Sequence, residues 1–188
     1  DAAINPYDGA MYFTVGGRGG QSALHRVTYV GEESTAPAKA ASDHAADRKL
    51  RRSLEALHKP NAAGAVAKAW KYLGHKDRHI RWAARIAIEH QPAAEWQSKA
   101  LAEKDAQAAL TALCALARQG DASLQGKLVA ALNKLNWATL TPAQQAELLR
   151  VYQLAFIRMG KPSEAIAASV EKILDPVYPD PMASLNRE

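Results

Sequence analysis

The sequence predicts a mainly α-helical protein, an α-α superhelix of about four helical pairs preceded by a short β-hairpin, and three observations lead there. Hydrophobic residues make up 48% of the 188 residues while aromatics make up only 6%. The apolar content is therefore largely alanine and leucine, the composition of helices packed closely through small side chains. From about Asp47 to Asp175 apolar residues recur at helical spacing, cut at intervals by turn signals. Taken in pairs, the helices start near residues 47, 78, 105 and 142. A period of roughly 30 to 40 residues marks a stack in which each pair buries its face on its neighbours. The irregular spacing leaves a plain helical bundle open as the alternative.

The first thirty residues read differently. Ala10-Met11-Tyr12-Phe13-Thr14-Val15 and Leu24-His25-Arg26-Val27-Thr28-Tyr29-Val30 are rich in β-branched and aromatic residues, and the second alternates apolar with polar. The connection Gly16-Gly17-Arg18-Gly19-Gly20-Gln21-Ser22 suits two antiparallel strands, and Asn5-Pro6-Tyr7-Asp8-Gly9 reads as a turn leading into the first. The hairpin is expected over residues 1–33. A Glu, Ser, Thr, Pro, Ala and Lys composition makes 34–46 a linker. Helices are expected near 47–58, 62–74, 78–90, 92–103, 105–119, 122–135, 142–159 and 162–174. Pro60-Asn61, Gly74, Pro92, Gly120-Asp121, Thr141-Pro142 and Lys161-Pro162 fall at their ends. The helical domain then covers 47–176, with a tail over 177–188.

The net charge of +5 is unevenly placed. Residues 46–104 carry 13 basic and 6 acidic side chains, while 105–188 balance at 8 and 8. All excess positive charge thus falls in one stretch. The single cysteine, Cys114, sits in an apolar run and is expected to be core, resistant to thiol reagents until unfolding. No run of about eighteen apolar residues exists, which excludes a membrane-spanning helix. Asp1 is not a natural start residue, so a processed protein or an excised piece is expected.

The segment His75-Lys76-Asp77-Arg78-His79-Ile80-Arg81-Trp82-Ala83-Ala84-Arg85-Ile86-Ala87 resembles a HEAT-type repeat. Such a helix opens with an acidic cap, an aliphatic residue, an arginine and two small residues. Asp77, Ile80, Arg81 and Ala83-Ala84 fill those places. The resemblance implies that Arg81 reaches along the stack to acidic or carbonyl groups of a neighbouring repeat, while Arg78 and Arg85 are dispensable for folding. The opening hairpin, Asp8 to Arg18 and Leu24 to Tyr29, is similar to the last blade of β-propellers in large bacterial proteins related to sugar dehydrogenases. Those proteins carry a helical-repeat segment after the propeller and end in a c-type haem domain. The resemblance implies a middle piece of such a secreted or periplasmic parent.

Several chemistries find no support in the residues. No Cys-x-x-Cys-His is present to attach haem. The glycine-rich connection is followed by no helix and closed by no Gly-Lys-Ser/Thr, as a phosphate cradle requires. His75 and His79, four apart, would need further ligands to hold a metal, and Asp77 and His58 have no spacing that guarantees convergence. No catalytic, cofactor or metal residue is therefore assigned.

The candidate binding face is Lys68, Lys71, Arg78, Arg81, Trp82 and Arg85. Arg78, Arg81 and Arg85 form a stripe at i, i+3 and i+7 opposite Ile80, Ala84 and Ala87. It reads either as a solvated charged face or as a concave basic surface. Trp70, Trp82 and Trp96 lie in the same stretch, as stacking platforms or as anchors of alanine-rich helices.

The expected function is a non-catalytic scaffold or protein-interaction segment of the haem-dehydrogenase-like parent. Its partners would be neighbouring domains of that chain or another protein, with no membrane. The alternative is a basic HEAT-like nucleic-acid-binding or DNA-glycosylase-like protein, with Asp77 or Glu89 available as the carboxylate.

Overall fold

The structure, a computed structural model, describes residues 2–17, 19–36 and 43–187. Arg18 of the glycine-rich connection and residues 37–42 of the expected linker lie outside the described residues. The chain divides into two compact units, 1–42 and 43–188.

The first unit is a three-stranded antiparallel sheet, β1 (Ala2–Ile4), β2 (Met11–Val15) and β3 (Ala23–Val27), in that order. The expected hairpin is its β2–β3 half, in register from Met11↔Val27 to Val15↔Ala23. The Phe13 and His25 rings, directly opposite, stack at 5.1 Å. Sequence reading missed β1, because three residues, two of them alanine, are too short to show an alternating pattern. Asn5 to Gly9 joins β1 to β2, closed by Asn5 N–H donating to the Ala10 carbonyl at 2.9 Å. Strand β3 stops three residues short of the expected Val30 because its partner ends at Met11. Tyr29 beyond it donates its hydroxyl to Glu33 instead. The hydrogen bond from the Tyr12 hydroxyl, followed by the Ala10 amide and the Arg26 guanidinium at 3.3 Å, holds Asp8 below the ordinary carboxylate range.

The second unit is helical, and 56% of the chain is helix. Among the described residues it holds eight α-helices: α1 (Ala45–Glu55), α2 (Ala65–Trp70), α3 (Arg78–Glu89), α4 (Gln97–Ala102), α5 (Ala106–Gln119), α6 (Gln125–Leu132), α7 (Pro142–Met159) and α8 (Glu164–Leu174). Seven of the eight fall within the expected spans; α1 starts at Ala45, two residues before the expected 47 and inside the expected linker. The starts are set by side chains that accept otherwise unpaired amides. Asp77 accepts from His79 N at 2.7 Å, and Asp105 from Ala108 N at 2.8 Å. Thr141 and Gln144 form a capping box ahead of Pro142. Two expected helices are shorter because their first turns are 3-10, at Ala93–Glu95 and Ala122–Leu124. Trp96 breaks the first of these at φ −132°, sending its fully buried indole inward to donate to the Gln91 carbonyl at 3.2 Å.

Neighbouring contacts order the helices in two rows. Helices α1, α3, α5 and α7 touch in succession, as do α4, α6 and α8, with α2–α3, α4–α5 and α6–α7 contacts tying the rows together. Alanine makes this closeness possible, since Ala69, Ala83, Ala84, Ala87, Ala100, Ala115 and Ala155 are all essentially inaccessible. The approach is tight at Gly74, where a Cβ would lie 2.9 Å from the Asp105 carboxylate at the head of α5. Helix α5 runs through the middle: Ala108 to Leu113 and Ala115 to Ala117 are buried, as expected of a helix apolar on all sides.

Buried polar groups join the rows. Gln91 donates to the Ala87 and Lys59 carbonyls and accepts from Ala62 N, each at 3.0 Å. Tyr152 donates to Asn133 at 2.7 Å, which in turn donates to Ser169 at 3.1 Å, linking α7, α6 and α8. Burial pushes the Tyr152 phenol well above its usual range.

Candidate functional site

Helices α3, α5 and α7 enclose an open cleft of about 530 Å³. Its floor is α5, which contributes Leu110, Thr111 and Cys114 at i, i+1 and i+4. One wall is α3, with Arg78, His79, Arg81, Trp82 and Arg85; the other is α7, with Glu147, Arg150 and Val151. The spacings i, i+3, i+4 and i+7 on α3 put those side chains on one helix face. The Asp77 cap fixes where that face begins. Hydrogen bonding from the His79 amide, foremost, keeps the Asp77 carboxyl below the ordinary range despite slight burial.

The four guanidiniums of the cleft differ sharply in how they are held. Arg81 donates to the His75 carbonyl at 2.8 Å and the Lys76 carbonyl at 3.1 Å, and pairs with Glu147 across the cleft at 3.3 Å. Glu147 also accepts from Gln107 on α5 at 2.6 Å. The resemblance implies a reach to a neighbouring repeat, but both carbonyls belong to the turn before Arg81's own helix, and among the described residues Glu147 on α7 is its one partner on another helix. Arg85 is different from expectation. Rather than lying free in solvent it pairs at 2.7 Å with Glu89, whose side chain is 5% exposed, and Arg118 reaches the same carboxylate oxygen at 3.0 Å. A carboxylate so buried requires both cations. Arg78 is exposed and has no hydrogen bond or ion pair among the described residues. Arg150 is exposed and donates to the neutral Gln153 amide at 2.9 Å.

The remaining candidates divide likewise. Trp82 is 53% exposed and lines the cleft, whereas Trp70 and Trp96 are buried. The anchor reading therefore describes Trp70 and Trp96, and not Trp82. Trp70 donates to Glu103 at 2.7 Å and carries the Lys99 ammonium 4.5 Å above its ring. Burial raises the Glu103 carboxyl, but bonds from Trp70 and from the amides of Asp105 and Lys104, with Lys99 nearby, outweigh it and leave it below the ordinary value. Lys68 and Lys71, both exposed, do not line the cleft; Lys68 Nζ donates to the Ser53 carbonyl at 3.2 Å.

Cys114 is half-buried rather than sealed in the core. Its sulfur accepts from Arg85 at 3.6 Å on the cleft floor. Burial raises its pKa, opposed in part by Arg85, so the group stays a thiol at neutral pH. His75 Nδ1 accepts from Asp77 N at 3.1 Å, and His79 lines the cleft. Among the described residues no group of three or more His, Cys, Asp or Glu side chains could hold a metal ion. No helix among them is long and apolar enough to cross a membrane.

Glu147, Arg150 and Val151 were missing from the sequence reading. Nothing in the sequence ties residue 81 to residue 147; a stacking register that sets α3 and α7 on either side of α5 is what brings them together. No protein family profile, curated protein or solved structure matches the chain.

Proposed function

We propose that the chain is a non-catalytic helical-repeat segment, its two rows of helices forming a superhelical solenoid, that holds a partner on its α3–α5–α7 face. The parent would be a larger secreted or periplasmic haem-dehydrogenase-like protein, and the partner one of its domains or another protein. The observation that carries the reading is the cleft itself: an apolar floor, an exposed tryptophan and unneutralised guanidiniums on both walls. Two groups there with acid-base or nucleophilic potential are otherwise engaged, while the His79 imidazole stands exposed on the α3 wall. Glu147 is bonded to Arg81 and Gln107, and Cys114 is held as a thiol. That supports binding over chemistry.

Two experiments test this. Reading the gene on either side of the chain should find propeller strands upstream and a haem-attachment motif downstream; a start codon without an export signal directly before Asp1 removes the parentage. A photo-cross-linking amino acid in place of Trp82, in the native parent, should capture a defined segment or protein, while the same group in place of exposed Lys104 should not. Absence of any cross-link from position 82 overturns the interaction face.

A second reading, a nucleic-acid-binding or base-excising protein, is favoured by the exposed Trp82 indole beside arginine side chains. It requires duplex binding at about 50 mM salt that weakens steeply as salt rises.

A further inference from the structure

Resting on the reading of the α3–α5–α7 face as an interaction surface, we infer that the cleft takes a protein segment in which one apolar side chain is flanked by carboxylates.

The floor supplies the apolar half of that recognition. Leu110 from α5, Val151 from α7 and the half-exposed Trp82 ring from α3 are the large apolar side chains that line the cleft of about 530 Å³. A site of that size takes a side chain together with its neighbouring backbone. Trp82 is a large apolar surface left wet on a helix that buries Ile80, Ala83, Ala84, Ala87 and Ile88 and half-buries Ile86. An aromatic ring of that kind is a typical anchor point for a partner.

Charge supplies the other half. Arg81 and Arg85 are already neutralised by Glu147 and Glu89, which leaves Arg78 on one wall and Arg150 on the other. Free guanidiniums on opposite sides of an apolar floor match carboxylates on either side of an apolar side chain. A nucleic-acid backbone fits less well. Duplex affinity rests on roughly six to ten neutralised phosphates, and among the described residues the cleft offers two guanidiniums not paired with a carboxylate, with the Glu147 carboxylate lining the same cleft.

The test is calorimetric titration of the full chain at about 50 mM salt with a blocked pentapeptide of one leucine between paired glutamates. Controls replace the leucine by glycine, replace the glutamates by lysines, or substitute a short DNA duplex. The leucine–glutamate peptide should bind with a Kd on the order of 100 μM or tighter, and the glycine version about tenfold more weakly. The lysine version should not bind. The double variant Arg78→Glu/Arg150→Glu, both positions being exposed, should keep its circular dichroism and melting temperature yet lose at least about tenfold in affinity. Equal binding of the acidic and basic peptides, undiminished binding by the double variant, or no binding of the acidic peptide each overturns the inference. DNA binding that is tighter than the peptide's and abolished by the double variant overturns it too. Cross-linking from position 82 does not depend on peptide chemistry, so a captured partner alongside a silent peptide titration discards the partner class and leaves the interaction face standing.

Discussion

Replacing Arg85 by alanine should destabilise the helical unit more than any other single change on the α3 stripe. The reason lies with Glu89, whose 5% exposed carboxylate receives Arg85 at 2.7 Å and Arg118 at 3.0 Å on the same oxygen. Removing one partner of a fully buried ion pair costs about 3–5 kcal/mol, because the survivor is left charged in a poorly polarisable interior. Here Arg118 survives as a second partner, 38% exposed and therefore weakened by solvent. The expected loss is accordingly about 2–3 kcal/mol, the upper range of a single charge-assisted bond. At roughly 3 °C per kcal/mol for a unit of this size, the melting temperature should fall by about 6–9 °C. Arg78→Ala, at an exposed position without a partner, should stay within about 0.5 kcal/mol of the parent. The assay is a set of thermal melts by circular dichroism, repeated at high salt. A buried pair is little screened, so the gap should persist there. If Arg85→Ala melts no lower than Arg78→Ala, the Arg85–Glu89–Arg118 cluster does not form in solution.

Three further outcomes are expected. Arg81→Ala should cost about 2 kcal/mol, mostly from its bonds to the His75 and Lys76 carbonyls, because the pair with the 40% exposed Glu147 is worth less than about 1; a melting temperature equal to that of Arg78→Ala removes its role in holding the turn before α3. Glu103 has a depressed folded pKa, so its contribution is present above its ordinary value of 4.5 and lost as pH falls through the lower, folded one. Glu103→Gln should therefore flatten the acid limb of stability against pH, and an unchanged limb counts against the Trp70–Glu103 bond. Cys114 should react with a disulfide reagent at mildly alkaline pH at least about tenfold more slowly than in the unfolded chain, yet measurably before unfolding, since burial disfavours the thiolate without sealing the sulfur. Labelling at the unfolded rate would place it outside the cleft floor.

Helix existence was legible wherever the signal was local. The Asp77, Asp105, Thr141 and Ser163 caps stand directly before their helices, and each expected span holds one. Lengths were less so. The turn at Trp96 follows from where a buried indole must donate, which depends on Gln91 and the packing around it rather than on spacing. Strand β1 was invisible for a related reason, since a segment of three residues shows no periodicity and is marked as a strand only by pairing with β2. Within the candidate face, periodicity placed Arg78, Arg81, Trp82 and Arg85 on one side of α3, and Lys68 and Lys71 were added because they are near in sequence. Nearness along the chain proved a poor guide, because the opposite wall comes from residues more than sixty positions away.

The same contrast bears on how the chain's charge should be understood. Residues 46–104 hold all the excess positive charge of the sequence, yet two of the three stripe arginines spend theirs inside the fold, one on Glu89 and one on Glu147. The charge left facing the cleft is shared between Arg78 and Arg150, and Arg150 belongs to the stretch whose charges balance. A high isoelectric point would favour any polyanion, with affinity rising as cations are summed. A cleft with, among the described residues, one guanidinium per wall not paired with a carboxylate would discriminate instead by where an anion sits relative to an apolar group. Selectivity at this site would thus come from the stacking register that sets α7 across α5 from α3, and the net charge would govern only how fast an acidic partner arrives.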